Sequence, residues 1–309
     1  MVDCFACRSN ASTRRQFLVT AGKATLVLGS GLAVYTAGRA SGQIPDRMRE
    51  KLQKQTQEGQ DYYVLMKGNL MKQYDKGAKF QKEVLTRHFD ESRVNRWLVQ
   101  ARKSYESFIP QFPYIGGKEN EFTRYLMYPS GIMPTVKILR DEGVPIRKIG
   151  QIIFEISTEY YNAIHALVKW YVRSTYFGEE KKAHLRAAAH KSQLRQYPGD
   201  WVFKFMEGDG KTFQYGLDMM ECGLVKFWSA QGLEEFTPYL CLTDWALWQA
   251  MGIETMRTQT IANGATHCDF RYIRKGKDGP PGWPAKSNPE WTGRYEIQHA
   301  FSDNLHKKH

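Results

Sequence analysis

The spacing of apolar residues predicts helices for the first two thirds of the chain. From about residue 45 to residue 191, apolar side chains recur every three or four residues among charged ones, as in "QKEVLTRHFDESRVNRWLVQARKSYESFI". This spacing puts the apolar residues on one face of an α-helix. The segment "PQFPYIGGKEN" interrupts the pattern with proline and glycine. The most apolar helical stretch here, "GQIIFEISTEYYNAIHALVKWYVRSTYFG", contains His165, which we interpret as a satisfied residue of the core or its rim.

The pattern changes to strict alternation after residue 200. In "WVFKFMEGDGKTFQYGLDMM", large apolar residues occupy every second position on both sides of the turn "EGDGK", which predicts a β-hairpin. Helical spacing returns in "ECGLVKFWSAQG" and "PYLCLTDWALWQAMG", and two further strands are predicted in "IETMRTQTIA" and "ATHCDFRYI", joined by a tight turn at "NG". The order of elements predicts an α+β fold, with a helical N-terminal half followed by a small antiparallel sheet of about four strands and packed helices.

These patterns divide the chain into four segments. We expect a targeting segment at residues 1–42, a helical region at 43–195, an α+β region at 196–275 and an irregular tail rich in proline and glycine at 276–309. At the N-terminus, "STRRQFL" precedes an uncharged stretch and then small residues, which is the layout of a secretory signal. The motif resembles the twin-arginine export signal. This resemblance implies export of the folded protein to the periplasm by the twin-arginine translocase, with a membrane anchor only if the signal is retained.

Charge and cysteine content narrow the function classes. The net charge of +12 falls to +8 without residues 1–42, and such a surplus indicates either a solvated basic surface or binding of anionic ligands or surfaces. No pattern of basic and aromatic residues indicates binding of nucleic acid. Two of the five cysteines, Cys4 and Cys7, lie in the targeting segment. The other three are an odd number, so at least one thiol is free or bound to a metal.

Two of these cysteines lie beside carboxylates. Cys222 follows a predicted strand and Glu221, at the predicted start of a helix, where a thiol's pKa is lowered and the thiolate becomes a nucleophile. Cys241 and Asp244 are three residues apart on a predicted helix and therefore share a face. The alternative for both cysteines is burial as small apolar residues.

The third cysteine lies in "ATHCDFRYI". In an extended strand, Cys268 points to one face while His267, Asp269 and Arg271 point to the other. The polar face is either a solvated surface or one wall of a site in which Asp269 holds Arg271 for a substrate carboxylate. Zinc or another metal bound by Cys222, Cys241, Cys268 and His267 is a further alternative, although the cysteines lack the close spacing of common zinc motifs.

Several motifs together resemble one enzyme family. They are the pair Glu221–Cys222, the unit Cys241-x-x-Asp244 and the ending "GATHCDFRY", all within residues 196–272. This segment resembles the L-2-amino-thiazoline-4-carboxylic acid hydrolase family. The resemblance implies hydrolysis of a small cyclic substrate with a C–N bond, such as a thiazoline or another cyclic amidine.

The resemblance also implies roles for the motif residues. A thiolate, with Cys222 as the first candidate, or an activated water attacks the C=N carbon, and a carboxylate carries the proton. The implied catalytic residues are Cys222, Cys268, Asp269, Asp244 and Glu221, and the implied substrate-binding residues are Arg271, His267 and Cys241. Two other classes stay open: a non-catalytic periplasmic protein that binds a small molecule or metal, and an accessory subunit of an exported redox complex.

Overall fold

The computed structural model describes the backbone of residues 46–274 and the side chains of residues 62–274. The predicted export signal and the predicted tail lie outside these residues. The chain divides into one unit at Met1–Glu58 and another at Gly59–His309. All side-chain contacts described below belong to the second unit.

Helices form the first part of the described chain, as the periodicity predicted. They occupy Asp46–Leu85 (α1), Glu91–Phe108 (α2), Phe122–Met127 (α3), Met133–Asp141 (α4), Ile146–Asn162 (α5), Ala166–Thr175 (α6) and Glu179–Ser192 (α7). The apolar stretch around residue 165 is divided between α5 and α6. His165 lies exposed at this break and caps α6, because its Nδ1 accepts a hydrogen bond of 3.2 Å from the backbone N–H of Leu167.

A four-stranded antiparallel sheet follows and confirms the predicted α+β fold. The strands are Val202–Glu207 (β1), Tyr215–Glu221 (β2), Glu254–Met256 (β3) and Cys268–Ile273 (β4), in the spatial order β1-β2-β4-β3. Helices Gly223–Ala230 (α8) and Thr237–Met251 (α9) lie between β2 and β3 in the chain. The predicted turn at "NG" is present as the end of a 3₁₀ turn, in which Asn263 is followed by Gly264 in the left-handed conformation. Strand β3 is shorter than predicted.

The core lies between one face of the sheet and the helices. Tyr215, Leu217 and Tyr272 are buried on this face, and the Trp248 ring of α9 meets the Tyr272 ring edge-on at 6.1 Å. Helix α5 packs along α9 from the other side. The end of α7 covers the edge of β1, where Gln193 donates a hydrogen bond of 2.7 Å to the carbonyl of Phe203. Among the described residues, none of the helices has the length and apolar character to cross a membrane.

Candidate active site

The sheet separates the residues that the sequence motifs bring together. In β4, Cys268 lies opposite Met219 and is buried on the helix-covered face. Asp269 lies opposite Asp218, and Arg271 lies opposite Gly216, so both point to the other face. The alternation predicted for this strand is therefore present, and the motif residues belong to two different environments.

The helix-covered face gathers three thiols and one carboxylate. Cys222 is the N-cap residue of α8, Cys241 and Asp244 lie one turn apart on α9, and Cys268 begins β4. Their charges are close enough to influence one another, since Cys222 and Asp244 each act on the titration of both Cys241 and Cys268. We call these four residues the thiol–carboxylate cluster.

A close contact at Gly223 fixes Cys222 at the start of α8. A Cβ atom on Gly223 would stand 2.5 Å from the carbonyl oxygen of Gly199 and 2.6 Å from the Trp201 ring. Only glycine allows the first turn of α8 to approach the segment that leads into β1 so closely. The arrangement directs the backbone N–H groups of Leu224 and Val225 at the Cys222 thiol.

Arg257 holds the carboxylate of the cluster, and the sequence motifs did not point to it. Its Nη1 donates a hydrogen bond of 2.7 Å to Oδ2 of Asp244, and its Nη2 donates one of 2.7 Å to the carbonyl of Cys241. The guanidinium lies 5.3 Å from the Trp248 ring centre and 4.9 Å from that of Phe270, and only 1% of the side chain is exposed. The sequence did contain a signal: Ile253, Thr255 and Arg257 alternate on the buried side of β3 and its extension. An arginine at a buried position requires a carboxylate partner.

The Asp244 carboxyl is partly accessible to solvent and partly packed among protein atoms. Of its side chain, 41% is accessible to solvent, yet burial raises the pKa of the carboxyl above its ordinary value, against the opposing effect of Arg257. An accessible side chain on the outer surface would be well hydrated and would show little effect of burial. The Asp244 carboxyl therefore combines access from solvent with a pKa above that of an ordinary carboxyl.

The three thiols are held in their protonated form. Burial raises the pKa of Cys222, raises that of Cys241 well above its ordinary value and raises that of Cys268 to about 12. At Cys222 the N–H groups at the start of α8 favour the thiolate, but burial outweighs them. The sequence suggested a resting thiolate at the helix start, but burial keeps Cys222 protonated at neutral pH.

Glu221 is engaged elsewhere, beside the cluster. Its carboxylate accepts hydrogen bonds of 2.9 Å from Arg195 and 2.5 Å from Lys226. Burial raises the pKa of Glu221, but these two cations outweigh burial and lower it overall. Lys226 also donates to the carbonyls of Pro198 and Asp200, so this group ties α8 to the start of β1.

Asp269 anchors the loop that carries Arg257. Its carboxylate accepts hydrogen bonds from the backbone N–H groups of Thr258 and Gln259, at 2.9 and 3.0 Å, and one of 2.6 Å from the Thr258 hydroxyl. His267 lies in the same group, because the Gln259 amide donates a hydrogen bond of 3.2 Å to its carbonyl. Through these contacts, Asp269 and His267 fix the chain immediately after Arg257 and do not take part in the cluster themselves.

Arg271 is paired on the outer face of the sheet. Its Nη1 donates a hydrogen bond of 2.7 Å to Oδ1 of Asp218, and its guanidinium lies 5.5 Å from the centre of the Phe213 ring. A Cβ atom on Gly216 would come within 2.7 Å of the arginine side chain, so glycine is required for this path across the sheet. The structure therefore does not bring Arg271 to the thiol–carboxylate cluster.

The zinc ligands suggested by the sequence do not form a metal site within residues 62–274. Among residues 62–274, no three histidine, cysteine, aspartate or glutamate side chains are arranged to hold one metal ion. Cys222, Cys241 and Cys268 are free thiols, and His267 is occupied with the loop at Gln259.

The structure therefore combines an α+β fold with a cluster of three thiols and one carboxylate. Residues 175–272 match the family model of L-2-amino-thiazoline-4-carboxylic acid hydrolase, which confirms the resemblance that the motifs suggested. This segment runs from the end of α6 to β4 and contains every residue of the thiol–carboxylate cluster together with Arg257. A search of curated proteins and a search of solved structures returned no match.

Proposed function

We propose that the protein hydrolyses a small cyclic amidine that carries a carboxylate, with 2-amino-thiazoline-4-carboxylate as the first candidate. The observation that carries this proposal is Asp244, an accessible carboxyl of raised pKa that Arg257 holds among three thiols. The match of residues 175–272 to the hydrolase family supports the reaction class.

Asp244 is the proton carrier in this proposal. In its ionised form it takes a proton from a water molecule whose oxygen adds to the C=N carbon of the ring. It then gives that proton to the atom that leaves the tetrahedral carbon. A carboxyl with a raised pKa suits both steps, because general acid–base catalysis is most efficient when the pKa approaches the working pH.

Water is the nucleophile that we favour. All three thiols have raised pKa values, so the fraction present as thiolate is small at neutral pH. Attack by Cys222 is the alternative, and it requires a base to remove the thiol proton. The two mechanisms predict different variants: Cys222→Ala retains turnover if water attacks and loses it if the thiol attacks.

The substrate carboxylate has a natural partner in the start of α8. The N–H groups of Leu224 and Val225 contact the Cys222 thiol in the free protein. A substrate carboxylate that replaces this contact would lie at the N-terminus of a helix, which attracts anions. Arg271, which the family resemblance suggested for this role, is paired with Asp218 on the opposite face.

The products identify the bond that breaks. Rupture of the C–S bond gives an N-carbamoyl cysteine with a new thiol, and rupture of the ring C–N bond gives the S-carbamoyl isomer. Both add the mass of one water. Loss of the exocyclic amine instead releases ammonia and leaves the ring closed as a 2-oxothiazolidine.

The test is turnover of 2-amino-thiazoline-4-carboxylate by the protein, followed by mass spectrometry, a thiol assay and an ammonia assay. We expect ring opening, with at least a hundredfold loss of kcat in Asp244→Asn. Asp218→Asn is the matched control, since it removes a carboxylate paired to an arginine on the other face of the sheet. Absence of turnover, or full turnover in Asp244→Asn, would contradict the proposal, and binding without turnover would favour a non-catalytic small-molecule protein.

We further propose that the protein acts in the periplasm after export by the twin-arginine route. The sequence "STRRQFL" supports this location, and the signal lies outside the described residues. Replacing Arg14 and Arg15 with lysine should retain the protein in the cytoplasm, as fractionation and immunoblotting would report. Unchanged export of this variant would refute the route.

A further inference from the structure

A recess beside the thiol–carboxylate cluster lies where α1, α5 and α9 meet. Its volume is about 150 Å³, and α2 and the 3₁₀ turn Pro129–Ile132 complete its wall. Helix α9 contributes Leu240 and Thr243, whereas Cys241 and Asp244 point about 100° further around the helix axis. The recess and the cluster therefore lie on adjacent faces of one helix.

The wall of the recess is aromatic and uncharged. Five tyrosines line it: Tyr74, Tyr105, Tyr128, Tyr160 and Tyr161. Tyr74 and Tyr105 are stacked, with ring centres 4.8 Å apart and planes inclined by 18°. The described lining residues include no aspartate, glutamate, lysine, arginine or histidine. A charged ligand would lose its hydration here without gaining a partner of opposite charge.

The Gln81 amide in this wall has an unused hydrogen-bonding end. Gln81 is 4% exposed, and its Oε1 accepts a hydrogen bond of 2.6 Å from Thr135. Its amide nitrogen makes no hydrogen bond to any residue in the described part of the chain. On the opposite wall, the Ser157 hydroxyl donates to the carbonyl of Ile153 and keeps its own lone pairs. The recess therefore offers hydrogen-bonding groups between aromatic rings, among them the Gln81 donor and the Ser157 acceptor.

We propose that this recess binds a small, uncharged, planar molecule with an amide or phenol group. The volume suits a single six-membered ring, since an apolar cavity of about 150 Å³ is known to take up benzene. The tyrosine rings provide faces and edges for such a ring. Gln81 donates to the ligand's carbonyl or hydroxyl oxygen, and Ser157 accepts from its N–H or O–H. This ligand differs from the anionic substrate proposed for the cluster, so the recess is a second site.

Gly77 provides a direct way to close the recess. It lies in the wall on α1, and a Cβ atom built there meets no heavy atom within 4 Å. A leucine at this position enters open space and also improves helix propensity. Gly68 is the matched control: it is another glycine of α1 with nothing within 4 Å, and it lies about 180° around the helix from Gly77, outside the recess wall.

The experiment measures binding of benzamide and benzoate to the full chain by calorimetry and saturation-transfer NMR. These probes have nearly the same shape and differ in charge. We expect saturable binding of benzamide, at least tenfold weaker binding of benzoate, and at least tenfold weaker binding of benzamide to Gly77→Leu, with Gly68→Leu unchanged. If Gly77→Leu does not fold, Gly77→Ala replaces it and should weaken binding by a smaller factor.

Three results would overturn the inference: benzamide does not bind, benzoate binds as tightly, or Gly77→Leu and Gly68→Leu bind benzamide equally. Turnover of the thiazoline by the same samples is a separate readout. An active enzyme that ignores benzamide refutes the second site alone. A protein that binds benzamide at Gly77 without turnover refutes the proposed function alone.

Discussion

Replacing Arg257 with methionine tests whether this residue organises the site. The variant keeps an unbranched apolar stem between the Trp248 and Phe270 rings but removes the charge that faces Asp244. Two hydrogen bonds of 2.7 Å are lost, one to Oδ2 of Asp244 and one to the carbonyl of Cys241. Loss of one partner from a buried ion pair costs about 3–5 kcal/mol, and the accessibility of Asp244 reduces this to roughly 2–3 kcal/mol in the free energy of unfolding.

The assay is a double-mutant cycle. Urea unfolding, followed by circular dichroism, is compared for the wild type, Arg257→Met, Asp244→Asn and the double variant. We expect a coupling energy of about 1–3 kcal/mol between the two positions. Arg102 and Asp75 form the control pair, because their hydrogen bond is also 2.7 Å long but 48% of each side chain is exposed. Exposed pairs of this kind contribute little to stability, because water screens both charges.

Comparison of the two coupling energies tests whether burial strengthens the ion pair of Arg257 and Asp244. A coupling between Arg257 and Asp244 no larger than that between Arg102 and Asp75 would refute the claim that burial makes this pair strong. The pH dependence of kcat adds a readout that stability alone would not change. Without the guanidinium, the pKa of Asp244 rises further, so the acidic limb of the profile should move to higher pH in Arg257→Met.

Three further predictions follow from neighbouring contacts. Asp269→Ala should lower kcat/KM by about tenfold or more through displacement of Arg257, with faster hydrogen exchange at the amides of residues 258 and 259; unchanged exchange would contradict this role. Gly223→Ala should destabilise the protein by about 1–3 kcal/mol in urea unfolding, because the new Cβ collides with Trp201. The pKa of Asp244 is higher in the folded protein than the ordinary value of 3.8 in the unfolded chain. The free energy of unfolding of the wild type, measured relative to that of Asp244→Asn, should therefore fall as pH rises above 3.8 and should level off once Asp244 is ionised. A stability difference that grows with pH would show that the pKa is lowered.

The sequence predicts the elements well where one local period dominates. The hairpin of β1 and β2 alternates strictly, and α8 and α9 keep a spacing of three and four residues, so each was predicted in place. The segment after β3 could not be predicted in this way. Its alternation continues through Arg257, but the hydrogen bonds of Asp269 to Thr258 and Gln259 turn the chain away after Met256.

The site was predictable only in part, for a similar reason. The motifs identified Cys222, Cys241, Asp244 and Cys268, and the fold brings these four together. They did not identify Arg257, because a single arginine in a strand pattern carries no motif and its partner is thirteen residues away. Nor could spacing reveal that burial raises the pKa of the thiols, since that effect depends on the packing of α9 against the sheet.

The strand "HCDFR" places residues on both faces of the sheet. Its polar residues therefore support the thiol–carboxylate cluster from the opposite face and do not line it. Cys268 contributes its thiol to the cluster, while Asp269, on the opposite face, holds the loop from which Arg257 reaches the same cluster. A slip of one residue in the register of β4 would exchange the two faces. The thiol would then leave the cluster and the loop anchor would be lost at the same time. Register in β4 is therefore a condition for the site, and the pairing of Met219 with Cys268 fixes it at the end where the site lies.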